Sequence, residues 1–241
     1  GSEMCIRDSD NVSVVSDVNK TTSDAPNVSV SGMTSGVKDY AKSLLTKEEL
    51  EDVINSDGKL KLQINVGNID TTVSDEDKQL VKAALENNAS LNNAVVGRYL
   101  DINAVIAGFD KKISELPNGE SITLTVKLND LMINKDADRT YYVVRIHENA
   151  DGVKTAEVID TTFDSVTGTI KFATDKFSTY AVVYTDKAAG NSDGNTSDDA
   201  QGSTDSPSTG DTVPFALYVL TMISAGLAAI LTLSKKRTEN E

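Results

Sequence analysis

The chain has 241 residues, a formal net charge of −14 and a pI near 4.5. Phosphate and anionic lipid both recruit clustered Lys and Arg, so this balance argues against nucleic acid and against a membrane surface as partners. With no Trp and 5% aromatic residues, a core has to come from Val, Ile, Leu and Ala, and the length suits one domain with tails.

The first nine residues stand apart. Residues 3–8, back-translated, are similar to the end sequence of a transposon used in preparing DNA libraries, so residues 1–9 read as a scar and are set aside. Cys5, the sole cysteine, falls inside it. The remaining sequence then offers no thiol for a disulfide, a metal site or a nucleophile, and the true N-terminus lies upstream. Residues 10–36 are Ser, Val, Asn, Asp and Thr with little pattern and read as a linker.

Residues 37–55 read as helical. Thr46 with Glu49 three positions on forms a capping box, and Leu50, Val53 and Ile54 share one face. "NSDG" (residues 55–58) turns the chain. In "KLKLQINV", Leu60, Leu62, Ile64 and Val66 alternate with polar residues, the signature of a half-buried strand. "SDEDKQLVKAALENN" predicts an amphipathic helix with Ser74 as cap, Asp77 completing the box, and a stripe of Leu80, Val81, Ala84 and Leu85. From Val96 the period is two. "GRYLDINAVIAG", "SITLTVKL", "TYYVVRIHE", "KTAEVID", "GTIKFAT" and "STYAVVYTD" are strands, separated by turns at Pro117-Asn118-Gly119, Asp151-Gly152 and Thr167-Gly168. The fold class expected over residues 37–186 is mainly β, an antiparallel β-sandwich with one or two short amphipathic helices.

Residues 187–205 carry almost no large apolar side chain and read as a disordered linker. Residues 213–233 contain no charge, enough to span a ~30 Å hydrocarbon layer as a transmembrane helix. Lys235, Lys236 and Arg237 follow, and the positive-inside bias keeps such a tail cytoplasmic as a stop-transfer signal.

The stretch before that run, Ser206-Pro207-Ser208-Thr209-Gly210, resembles the LPXTG-like cell-wall sorting signal of Gram-positive surface proteins of the clostridial type. Pro207, Ser208, Thr209 and Gly210 match the last four positions of the motif; Ser206 stands where Leu is usual, which leaves the sortase class open. The resemblance implies that a sortase cuts between Thr209 and Gly210 and passes the Thr209 carbonyl to an amine of the peptidoglycan precursor. The membrane helix is then a transient hold, and the product is extracellular and wall-anchored. Residues 206–241 together form the signal. A second, less specific resemblance covers about residues 45–186: "YYVVRIHE" and "DKFSTYAVVY" are similar to a β-rich module placed just before the wall anchor in clostridial surface proteins. It implies no enzymatic role.

The remaining candidates for chemistry are weak. His147, the sole histidine, ends a strand with no nucleophile motif beside it and reads as structural. Asn134, Asp136 and Asp138 alternate like the start of a calcium loop, but Arg139 and Arg145 occupy the places of its Gly and Glu. Tyr141, Tyr142, Tyr180 and Tyr184 offer either a ligand platform or core and cross-strand pairs, and the second reading is the expected one. No catalytic residue, metal or cofactor is expected. The expected function is a non-catalytic, wall-proximal spacer for domains upstream. Its rivals are an adhesin-type module for glycan or host matrix, and the tail of a secreted hydrolase.

Overall fold

A computed structural model describes residues 11–134 and 138–186. In chain order these form β1 (Ser13–Lys20), β2 (Val28–Ser31), α1 (Ser35–Ser43), α2 (Lys47–Ser56), β3 (Lys59–Asn68), α3 (Asp75–Glu86), β4 (Val95–Ile106), β5 (Lys111–Ile113) and β6 (Ile122–Lys127). A single 3-10 turn (Asp130–Met132), β7 (Arg139–Glu148), β8 (Lys154–Asp160), β9 (Thr162–Asp164), β10 (Thr169–Thr174) and β11 (Ser178–Asp186) complete them. The described chain is mainly β.

The strands form two sheets. The larger runs β1-β3-β4-β11-β7-β8, with β5 also pairing to β4; the smaller runs β2-β6-β10-β9. Both contribute to one hydrophobic core: Leu62, Ile64, Ile102, Val143 and Tyr180 from the larger, and Ile122, Leu124, Val126, Ile170 and Phe172 from the smaller. Phe172 and Tyr180 meet across it at 5.8 Å between ring centroids. α1 and α2 add Val37, Ala41 and Val53 to the same core beside β1 and β3.

The opposite face of the larger sheet carries a second cluster. Val81 and Leu85 of α3 pack there with Leu91, Val144, Ile146, Ala181 and Val183. This explains why β7 and β11 read as nearly continuous apolar runs. Both are central strands covered on both faces, so successive side chains are buried in turn. β3 lies beyond α3, keeps one polar face, and alternates as the sequence predicts.

Four expectations are corrected. Residues 10–36 are not a linker: β1 and β2 lie within them, one in each sheet. The sheets are not wholly antiparallel, because β1 pairs with β3 in parallel. Among the described residues there are three α-helices rather than one or two, the stretch 37–55 being split between α1 and α2. Asp77 does not complete a capping box. The Ser74 hydroxyl accepts from the Asp77 amide at 3.1 Å, while the Asp77 carboxylate accepts from the Lys154 ammonium at 2.9 Å. That pair, with Glu76 at 3.0 Å from the same ammonium, ties the first turn of α3 to β8. Around Thr46 the box forms as read: its hydroxyl accepts from the Glu49 amide, and its own amide donates to Glu49 Oε2 at 2.8 Å.

The turns behave as their residues require. Gly152 and Gly168 have φ of 75° and 62°, a left-handed backbone that a side chain disfavours. At Gly168 a Cβ would also come within 2.8 Å of Ile133 Cδ1.

Candidate functional site

The residues that carry the sorting resemblance, Ser206 to Gly210 with Lys235, Lys236 and Arg237, lie outside the described residues, as do the apolar run 213–233 and the segment 187–205. Among the described residues no helix is long and apolar enough to cross a membrane.

Within the described chain, the densest polar constellation gathers at Arg145. β7 places this side chain on the core-facing side of the larger sheet, in register with Tyr180 of β11 and Glu157 of β8. It is 6% exposed. Its Nη1 donates to Asp175 Oδ1 at 2.5 Å and to Thr174 Oγ1 at 3.0 Å; its Nη2 donates to Glu157 Oε2 at 2.6 Å. The Thr174 hydroxyl also meets the Tyr180 hydroxyl at 2.7 Å, and that phenol donates to the Lys176 carbonyl. Burial pushes the Tyr180 phenol up to about 12, so it stays protonated and donates. Burial alone would raise the Asp175 carboxyl, but the hydrogen bond and charge of Arg145 outweigh this and hold it below the usual range. The buried guanidinium is thus matched by two acids whose outer ends reach solvent. It fixes the β10–β11 turn onto β7.

His147 lies two positions along β7, with Nε2 at 3.9 Å from Glu115 Oε2 and Nδ1 buried without a hydrogen-bond partner. Burial, then the Lys176 charge, lower its pKa, with Glu115 opposing. Arg145 adds to the lowering and Asp175 opposes it. The ring is therefore neutral in the folded protein at neutral pH. An unfolded chain protonates near 6.5, so the folded state loses stability as the pH falls below that value. The loss levels off once the folded ring also takes a proton. Urea midpoints are expected to drop between pH 7.5 and 5.5 in the native sequence, and the drop should shrink in His147→Gln. An equal drop in both would place the pH dependence elsewhere.

The four tyrosines do not form a platform. Tyr141 and Tyr180 are buried in the main core, and Tyr142 packs against the cluster on the opposite face. Tyr184 lies under the Arg139 guanidinium, 3.7 Å from the ring centroid. Arg139 is otherwise committed: it forms a two-pronged pair with Asp186 at 2.6 and 2.7 Å and donates to the Met132 carbonyl at 2.7 Å. Of the calcium-loop candidates, Asp136 lies outside the described residues. Among the described residues no three His, Cys, Asp or Glu side chains gather as a metal site would require.

One part of the larger sheet is polar and not covered by α3. Gln63 and Asn19 both donate side-chain amides to Asn65 Oδ1, at 2.8 and 2.9 Å, and Asn103 donates to Asp101 Oδ2 at 2.6 Å. A shallow recess of about 400 Å³ opens beside Gln63, Asn65, Asp110 and Lys112. It lacks an exposed aromatic ring of the kind that stacks on a sugar.

Sequence reasoning missed the Arg145 network. Its one signal is an arginine inside the apolar run "YYVVRIH", a charge that central burial tolerates only when it is paired. The partners Thr174, Asp175 and Glu157 sit in other strands and turns, and no local spacing links them. Searches of protein-family models, of curated proteins and of solved structures find no match to this chain.

Proposed function

We propose that this chain is the wall-proximal, sortase-anchored end of a bacterial surface protein, with its β-rich module acting as a non-catalytic spacer. The observation that carries the reading is the order of features at residues 206–241: Pro207-Ser208-Thr209-Gly210, an uncharged run, then Lys235, Lys236 and Arg237. Each feature has a physical role. The apolar run holds the substrate at the membrane face. Pro207 fixes φ and biases Ser206 toward an extended form, so the peptide meets a cleft already shaped. Gly210 leaves little bulk after the scissile carbonyl. The nucleophile belongs to the sortase, so Thr209 and Gly210 are substrate positions, and Thr209 becomes the covalent link to peptidoglycan.

The module fits a spacer as a β-sandwich whose two sheets share one core, with α3 as a third layer. The buried Arg145 guanidinium is spent on bonds to Thr174, Asp175 and Glu157 that tie strands together. Tyr141 and Tyr180 are buried in the core, and the half-buried Tyr142 and Tyr184 pack on opposite faces of the larger sheet, so these four rings do not combine into the exposed aromatic groove that would favour a glycan-binding reading.

The test is mass spectrometry of wall material released by a muramidase. A peptide ending at Thr209 and joined to a cross-bridge amine is expected, and Thr209→Ala should leave the protein in the membrane fraction. A full-length product with an intact tail in wild-type membranes would refute the assignment.

A further inference from the structure

We infer that residues 11–186 form a load-bearing module, in which tension between the two ends is carried in shear by the strand array β1-β3-β4-β11. The source of that tension rests on the anchoring reading above; the strand geometry does not.

The directions of the strands make the argument. β1 runs parallel to β3. β3 is antiparallel to β4, and β4 is antiparallel to β11. The first and last strands of the described chain therefore point the same way, with two strands between them. Ser13, where β1 begins, pairs with Lys59, and nearby Leu62 pairs with Ile106 at one end of β4. Tyr184, near the end of β11, pairs with Val95 at the other end of β4. β4 is 12 residues long, so the chain enters and leaves roughly 40 Å apart at opposite ends of the same sheet.

Tension applied at these ends pulls β1 and β11 along their own axes in opposite directions. Ladder hydrogen bonds lie across the strands, so all rungs of a pair are strained together rather than one after another. β11 is held on both sides, by β4 and by β7. β1, as an edge strand, is the place to yield, and it is fastened more firmly than an ordinary edge. Its register with β3 runs over eight consecutive pairs, from Ser13–Lys59 to Lys20–Val66. Backbone bonds extend the ladder past both ends, from the Ser13 amide to the Gly58 carbonyl and from the Thr21 amide to the Val66 carbonyl, each 2.8 Å. Val12 and Val14 are buried in the core. Beyond the strand, the Asn68 amide donates to the Thr22 hydroxyl at 2.9 Å, and the Asn68 side chain donates to Asp24 Oδ2 at 2.6 Å. Sliding β1 past β3 has to break these contacts and the ladder together.

Two pulling geometries on the full chain separate this from ordinary stability. Cys5, the sole cysteine, serves as one handle in both. With Lys187→Cys as the second handle, the array is loaded in shear. With Lys59→Cys, the exposed partner of Ser13, β1 is peeled from β3 one rung at a time. Single-molecule force spectroscopy is expected to give a first rupture force about threefold or more higher in shear than in peeling, because simultaneous rungs raise the barrier to forced unfolding. Equal forces, or a lower force in shear, would overturn the inference. The wall-fragment experiment fails or succeeds independently, since it reads the bond at Thr209 and not the strength of the sheet.

Discussion

Arg145→Met is expected to destabilise the protein by about 2–4 kcal/mol, a loss typical of breaking a buried ion pair from one side. Methionine keeps much of the hydrocarbon volume, so the effect reports the lost charge and hydrogen bonds more than a cavity. The Asp175 and Glu157 side chains retain 40% and 62% exposure and can partly rehydrate, which keeps the cost below that of a fully buried pair. Thr174 and Tyr180 keep each other. For a domain of this size the change corresponds to a fall in Tm of roughly 5–15 °C. Glu157→Gln is expected to cost under about 1 kcal/mol, since its end of the network is well solvated. The two substitutions together should cost less than their sum, because the second removes a partner already lost.

The same variant has a pH signature. Asp175 has its carboxyl held low in the folded protein by Arg145. A lowered acid contributes stability that is present above the unfolded value and is lost as pH falls through the folded one. In Arg145→Met that contribution disappears, so the stability gap between the native protein and the variant should be full above the unfolded carboxyl value and narrow as the pH falls through the Asp175 titration. The carboxyl carbon of Asp175, followed by NMR, should titrate upward relative to the native protein. An unchanged titration would mean that Arg145 does not set this carboxyl.

How far the sequence was readable depended on where each signal lies. The strands β3, β4, β6, β7, β8, β10 and β11 were visible because alternation or apolar runs are local, and turn glycines punctuate them. The Thr46 cap was visible for the same reason. β1 was missed because "SVVSDVNK" carries its apolar residues irregularly: Val14 is buried while Val15 is exposed. Its structure is imposed by β3, a partner about forty-five residues away, and non-local pairing leaves little mark on composition. β2 is four residues long with partial burial, too short to show a period. Asp77 was misplaced because its spacing from Ser74 suits a capping box, whereas Lys154, which takes its carboxylate, comes from a different strand. The proposed motif at Thr209 rests wholly on local residues and lies outside the described chain. The Arg145 network was not readable locally, since its members are assembled by register between β7, β8 and the β10–β11 turn.

The missed strands lead to the largest expected effect. A fragment of residues 37–186, the boundary suggested by composition alone, is expected not to fold cooperatively, whereas residues 11–186 should melt in a single transition. Removing residues 11–36 takes Val12, Val14 and Ala25 out of the core, along with the partly buried Val18, Val28 and Val30. At about 1.5 kcal/mol for each well-buried valine and less for the others, the apolar loss is on the order of 6 kcal/mol. Domains of this kind are stable by only about 5–15 kcal/mol in total. The deletion also strips β3 of its parallel partner over eight pairs and β6 of its antiparallel partner over four. Both sheets lose an edge at once, and the newly bared edges, with Leu60, Leu62, Ile64 and Val66 beneath one of them, invite association between chains. Circular dichroism melts and size-exclusion profiles of the two fragments decide the matter. A sharp melt and a monomeric peak for residues 37–186 would show that β1 and β2 decorate the module rather than complete it. Retention of both properties only in residues 11–186 would show that its folding unit begins before the first helix, with the two sheets sharing one N-terminal seam.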